Sequence, residues 1–214
     1  GNIVICCDGR KYWRKEFFEY YKGMRKANRD KSDLNWGLIF DTLSEMRDDI
    51  AKYFPYKVMH IERAEADDII AVLTKYAQDN ELIQEGLVEE PQKILILSSD
   101  KDFKQLQLFP TVRQWSPMQK KQVKANAKEL REKTITHIVK AGDDGIPNIL
   151  SASDCFVTET RQTPITKPKL QKFMDETVVL WEDEKAKSGF SRNQVLIDLS
   201  HIPSELQSEI INTY

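Results

Sequence analysis

Two short stretches carry most of the groups able to do chemistry, ERAEADDIIAVL at 62–73 and KILILSSDKDF at 93–103. They place Glu65, Asp67, Asp68, Asp100 and Asp102 beside strongly apolar runs, where a carboxylate is costly to bury unless a metal or a base stands next to it. Taken singly, each group has an ordinary explanation. Glu65 and Asp68 share one face at a helix start, where the dipole favours carboxylates, and an Asp-x-Asp after a strand is unspecific. Their joint occurrence with Asp8 at a strand end and Asp143-Asp144 in a Gly/Pro turn is harder to dismiss, because seven or eight carboxylates at one edge repel strongly without cations. Hard oxygen donors select Mg²⁺ or Mn²⁺, and a pair of such ions suits phosphodiester hydrolysis.

The elements that must position these acids follow from the pattern. Residues 2–7, NIVICC, read as a buried strand with Asp8 at its carboxyl end. YKVMHI, KILILSS and VRQWS are further strands. Between them, apolar positions from Leu34 to Phe54 recur every three or four residues and predict a core-facing helix stopped by Pro55. A second helix starts at Ala64, with Ile69, Ile70, Leu73, Tyr76 and Ala77 inward, and a loop or short helix spans 79–92. Strands alternating with helices predict an α/β fold with a mainly parallel central sheet, whose ligands bind beyond the strands' carboxyl ends. Beyond Val139 the chain turns polar, with short helices at 169–181 and 203–211, so the expected organisation is an α/β domain over 1–133 and a small helical lobe over 134–214.

Charge supports a polyanionic partner. The net charge of −2 conceals an excess of +6 over 10–31 and +5 over 118–140, and basic surfaces flanking an acidic cluster suit phosphates held beside a metal. The aromatics and bases of 10–33 fit either an amphipathic helix or a nucleic-acid arm that stacks on bases. Three cysteines argue against a disulfide framework, and His60, His137 and His201 are scattered without zinc spacing. No apolar run reaches membrane-spanning length and no signal peptide is evident, so a cytoplasmic location is expected.

The run from Asp8 through YWRKEFFEYYKGMRKANR, EADD and SSDKDFKQL to RQWSP resembles the 5′ nuclease superfamily of flap endonucleases and 5′→3′ exonucleases, in particular its T-even phage ribonuclease H branch. The resemblance implies a PIN-like domain, a helical arch over an acidic cleft and a helix-three-turn-helix lobe on duplex DNA. It implies removal of RNA primers and 5′ flaps in phage replication, within the host cytoplasm, by a monomer that works beside a single-strand-binding protein or sliding clamp. By position, it assigns Asp8, Glu65, Asp67 and Asp100 to a first Mg²⁺ or Mn²⁺ site, Asp102, Asp143 and Asp144 to a second, and Asp68 to their neighbourhood. It puts Arg14, Lys22 and Arg25 on the arch near the scissile phosphate, Tyr21 against a terminal base, and Gly145 and Asn148 at the DNA.

Two departures accompany the resemblance. The family begins with an earlier strand ending in another metal-binding Asp, which has no counterpart before Gly1. Its late acids stand three apart in Gly-Asp-x-x-Asp, whereas here Asp143 and Asp144 are adjacent, so the partner position falls on Ala141 or on Ile146. These departures leave a second expectation, a catalytically impaired or truncated relative that binds branched DNA without turnover. Phosphotransfer to an Asp, as in receiver domains, would leave the basic aromatic arm and the carboxyl-terminal lobe without a use.

Overall fold

The computed structural model describes residues 2–79, 90–178 and 181–214, with the side chains of 27 and 127–129 excepted; the loop expected at 79–92 lies almost wholly outside them. Strand β1 (Val4–Cys7) pairs in parallel with β2 (Lys57–His60), in the register Cys7↔His60. Strand β3 (Ile94–Leu97) pairs in parallel with β4 (Val112–Ser116). The chain then turns back into β5 (Lys121–Val123), antiparallel to β4, which the sequence did not signal because KQV is short and polar. Among the described residues β1 and β3 each pair on one side only, so the expected single sheet is two, of two and three strands.

One core joins them. Helix α4 (Ala66–Ala77) lays Ile69, Ala71 and Val72 against Met59, Ile96 and Val112. The ten-residue helix α8 (Ser204–Thr213) closes the same core with Leu206 and Ile210. A second core gathers Ile138 and Val139 of α5 (Ala127–Lys140), Phe173 of α6 (Lys167–Asp175), and Ala186, Phe190 and Leu196 of α7 (Glu184–Ile197). Phe18 and Tyr21 also belong to it. The cores therefore do not follow a division at 133/134: α5 runs unbroken through that point, and α8 returns to the first core.

Helix α7 falls between the short helices expected at 169–181 and 203–211, in a stretch expected to be loop. A Cβ on Gly189 would sit 2.3 Å from the Ile149 carbonyl oxygen, so close helix packing requires glycine. Helix α3 (Trp36–Tyr53) forms where expected, with Asn35 accepting the Leu38 N–H at 3.1 Å as its cap. Its facing is a correction: it buries no residue, and Leu38, Phe40, Leu43 and Met46 are exposed. Periodicity identifies an apolar face but not a neighbour to cover it.

Candidate active site

Asp8 is fixed by the backbone around it. The Gly9 N–H donates to the Ala64 carbonyl at 2.7 Å, and a Cβ on Gly9 would lie 2.5 Å from the Ile61 oxygen, so only glycine lets β1 approach the start of α4 this closely. Asp8 Oδ1 then accepts the Ala66 N–H at 2.8 Å. The α4 start is closed by Asp68, whose Oδ2 accepts the Glu65 N–H at 2.9 Å. Residue Asp67 remains at the cavity.

The aromatic, basic segment divides between interior and surface. Trp13 and Arg14 lie on a short helix α1 (Trp13–Phe17), and both are buried. The Arg14 guanidinium reaches Glu65 Oε2 at 2.9 Å and Asp68 Oδ1 at 2.8 Å, while its Nε donates to the Leu196 carbonyl at 2.9 Å. Trp13 Nε1 donates to Asp68 at 3.0 Å and the Tyr21 hydroxyl to Glu65 at 2.9 Å. The expected place of Arg14 on the arch beside the scissile phosphate, and of Tyr21 against a terminal base, is thus corrected, since both are buried: two buried carboxylates require buried donors, and these supply them. Lys22 is also turned inward, pairing with Glu65 and standing 3.8 Å from Asp144. Arg25, on helix α2 (Met24–Asp30), pairs with Asp144 and stays half exposed.

The other acids come from two turns. After β3, Asp100 Oδ1 accepts the Asp102 N–H at 2.9 Å, which starts a 3₁₀ helix over Asp102–Leu108. The fully buried Gln114 braces that turn through the Ser98 and Asp100 carbonyls at 3.0 and 2.6 Å. After α5, residues 141–146 turn sharply, with positive φ at Ala141, Gly142, Asp144 and Gly145. The Lys22 N–H donates to the Asp144 carbonyl at 2.7 Å, and a Gly145 Cβ would meet the Tyr20 oxygen at 2.9 Å, so this turn is seated on residues 20–22. Asn148 is buried, its side chain bonded to the Thr163 carbonyl, the Leu150 N–H and the Ser151 hydroxyl; it shapes the loop behind the turn, where a DNA contact was expected.

The result is one cavity lined by Glu65, Asp67, Asp100, Asp102, Asp143 and Asp144, with Arg14, Tyr21 and His137, and walled by Leu196, Ile197 and Leu199. Asp68 is fully buried behind it. Burial first, then the charges of Asp100, Glu65 and Asp8, push the Asp67 carboxyl up to about 7. The hydrogen bond from Lys101 holds Asp143 below its ordinary value. Lys101 and His137 were missed: Lys101 pairs with Asp143, and His137 faces both Asp102 and Asp143. The available signal was order along the chain, a His six residues ahead of an acidic turn.

The donors suit a hard cation. They are carboxylate oxygens, and Asp67, raised first by burial and then by the neighbouring Asp100, Glu65 and Asp8, is a carboxyl whose ionised form an entering cation would favour. Among the described residues no three His, Cys, Asp or Glu side chains already converge on a single point, and Lys22, Arg25 and Lys101 stand against Glu65, Asp144 and Asp143.

An α/β fold with clustered acids at its strand ends, beside basic segments, is an arrangement suited to holding a cation next to a polyanion. The family model for the 5′-3′ exonuclease N-terminal resolvase-like domain matches residues 1–135, and the chain belongs to that family, within the 5′ nuclease superfamily. It is 38% identical to the ribonuclease H of Enterobacteria phage T4, over its whole length and 69% of the phage protein. The fold is similar to that of the bacteriophage T5 D15 flap endonuclease in a complex with DNA and metal ions (TM-score 0.63, 16% identity, covering 99% of this chain and 84% of that one). It is equally similar to the T5 5′-exonuclease carrying zinc (TM-score 0.63, 16% identity, 99% and 82%). Among the described residues no helix is long and apolar enough to cross a membrane.

Proposed function

We propose that this chain is a divalent-metal-dependent 5′ nuclease that hydrolyses phosphodiesters of 5′ flaps and RNA primers on duplex DNA. The observation that carries this reading is the meeting of Asp67, Asp100, Asp102, Asp143 and Asp144 at one cavity from three separate segments. Charge supports two ions. Counted formally, with Asp67 deprotonated as it would be beside a cation, Asp8, Glu65, Asp67, Asp68, Asp100, Asp102, Asp143 and Asp144 set eight negative charges against Arg14, Lys22, Arg25 and Lys101, and 8 − 4 leaves four. Two Mg²⁺ or Mn²⁺ ions would offset those four, activating water and stabilising the leaving oxygen.

Asp8, Asp67 and Asp100 would hold one ion; Asp102 with the 143–144 turn would hold the other. Arg14 braces Glu65 and Asp68 from behind through its paired guanidinium. Lys22, Lys101 and Arg25 occupy the acids and can transfer to a phosphate once metal takes their place. The turn around Gly145, with the loop that Asn148 shapes, would face the duplex. The flap substrate follows the flap-endonuclease neighbour and the RNA strand follows the ribonuclease H relative.

Cleavage of a 5′-flap duplex and of an RNA-primed duplex in Mg²⁺ tests the reading. Expected is cleavage by the native chain, lost on chelation and in Asp100→Ala. Binding without any cleavage would overturn it in favour of a DNA-binding relative.

A further inference from the structure

The loop behind the acidic turn is held by two neighbouring side chains of α7. Asn193, fully buried, donates through Nδ2 to the Ile138 carbonyl at 2.9 Å and to the Pro147 carbonyl at 2.8 Å. Arg192 donates through Nη2 to the same Pro147 carbonyl at 2.9 Å, through Nη1 to the Ser153 hydroxyl at 3.0 Å, and through Nε to Asn193 Oδ1 at 2.9 Å. Its guanidinium lies over the Phe18 ring, 5.4 Å from the centroid.

None of these partners calls for a positive charge. A carbonyl, an amide oxygen and a hydroxyl are satisfied by neutral donors, yet the residue among them is a partly buried cation. Arg14, by contrast, is buried against Glu65 and Asp68. Among the described residues no carboxylate pairs with Arg192; burial pulls the guanidinium below its ordinary value, with only the neighbouring Cys155 against it. A desolvated charge without a counter-ion is costly, and an anion from outside would relieve it. Two of the five N–H groups remain beyond the three bonds named. Ser153 is exposed and accepts from Arg192, which leaves its own O–H to donate. Several donors around one delocalised charge suit the oxygens of a phosphate.

We propose that Arg192 and Ser153 seat one backbone phosphate of a duplex lying across the 145–148 turn. The seat is one helical turn before Leu196, which walls the acid cavity. Phosphate contacts set register and do not read bases, so the seat steadies the duplex beside the cavity whatever its sequence. The inference rests on the nuclease reading above and extends its nucleic-acid surface to α7.

Fluorescence anisotropy of a labelled 5′-flap duplex, with the full chain in a chelator so that nothing is cleaved, reads affinity across a salt series. Arg192→Gln should lose about one unit from the slope of log affinity against log salt, and about eight-fold in affinity at about 0.1 M salt. Arg192→Lys should keep the native slope, and Ser153→Ala should weaken binding about two- to five-fold without changing it. A set of duplexes, each with one neutral methylphosphonate linkage, should contain one that weakens the native chain but costs Arg192→Gln and Ser153→Ala less. Ser153 is exposed, so its variant keeps the test open if Arg192→Gln does not fold. An unchanged slope in Arg192→Gln, equal losses in the Gln and Lys variants, or no such linkage would confine Arg192 to bracing the loop and overturn the seat. Flap cleavage by the native chain in Mg²⁺ judges the nuclease reading separately, and a native chain that binds no duplex at low salt would overturn both.

Discussion

Replacing Arg14 separates an interior strut from an exposed phosphate clamp. Its guanidinium lies against Asp68, which is 0% exposed, and Glu65, which is 3% exposed, and its Nε holds the Leu196 carbonyl. Breaking a buried pair by removing one partner costs about 3–5 kcal/mol. Here each acid keeps other donors: Asp68 retains Trp13 Nε1 and the Glu65 N–H, and Glu65 retains the Tyr21 hydroxyl and Lys22. The pair loss therefore belongs at the low end, about 3 kcal/mol, and the orphaned Leu196 carbonyl adds about 1 kcal/mol. A sum of about 4 kcal/mol is a large share of the ~5–15 kcal/mol available to a domain. Urea unfolding of Arg14→Ala should show this loss, and Arg14→Ala combined with Asp68→Asn should recover part of it, since the stranded charge is gone. Arg25→Ala, which breaks a half-exposed pair, should cost less than about 1 kcal/mol. An Arg14→Ala variant within about 1 kcal/mol of the native chain, with only DNA binding weakened, would refute the argument and return Arg14 to the arch.

Asp67 makes the metal-free protein pH-sensitive. Its carboxyl titrates near 7 in the fold against 3.8 ordinarily, so the native state holds the extra proton between those values, and the associated stability is present below about 3.8 and lost as pH rises through about 7. Melting temperatures without metal should fall over that range more steeply in the native chain than in Asp67→Asn, and Mg²⁺ should stabilise more at pH 8 than at pH 5; parallel profiles for the two proteins would contradict this. On α3, Leu38→Glu with Leu43→Glu should change unfolding free energy by under about 0.5 kcal/mol each and reduce binding of an apolar dye, because both side chains are exposed. A loss above about 2 kcal/mol would mean that the face is covered in solution.

What was legible in the sequence, and what was not, follows the range of the interactions. Strands β1 to β4 and helix α4 declare themselves through local apolar pattern, and strand ends carry their acids to one edge, so the meeting of Asp67, Asp100 and Asp102 follows from βα alternation. The fate of Arg14 does not, because its partners lie 51 and 54 residues away, and a basic residue among aromatics looks the same whether it meets a phosphate or a buried carboxylate. Trp13, Arg14, Phe18 and Tyr21 turn inward while Arg10, Lys11, Lys15 and Lys26 stay outside, so one segment serves both of the readings its composition allowed. The carboxyl-terminal lobe was legible only as something separate. Yet Leu199 N–H donates to Gln105 Oε1 at 3.2 Å, the Leu199 carbonyl accepts Lys75 Nζ at 2.8 Å, and the Ile197 carbonyl accepts Gln105 Nε2 at 3.0 Å. The α7–α8 junction is thus bonded to α4 and to the 3₁₀ helix behind Asp102, and it walls the cavity in which the acids meet. A boundary drawn where composition changes therefore cuts through the site itself: the acids come from 65–144 and part of the apolar wall beside them from 196–199.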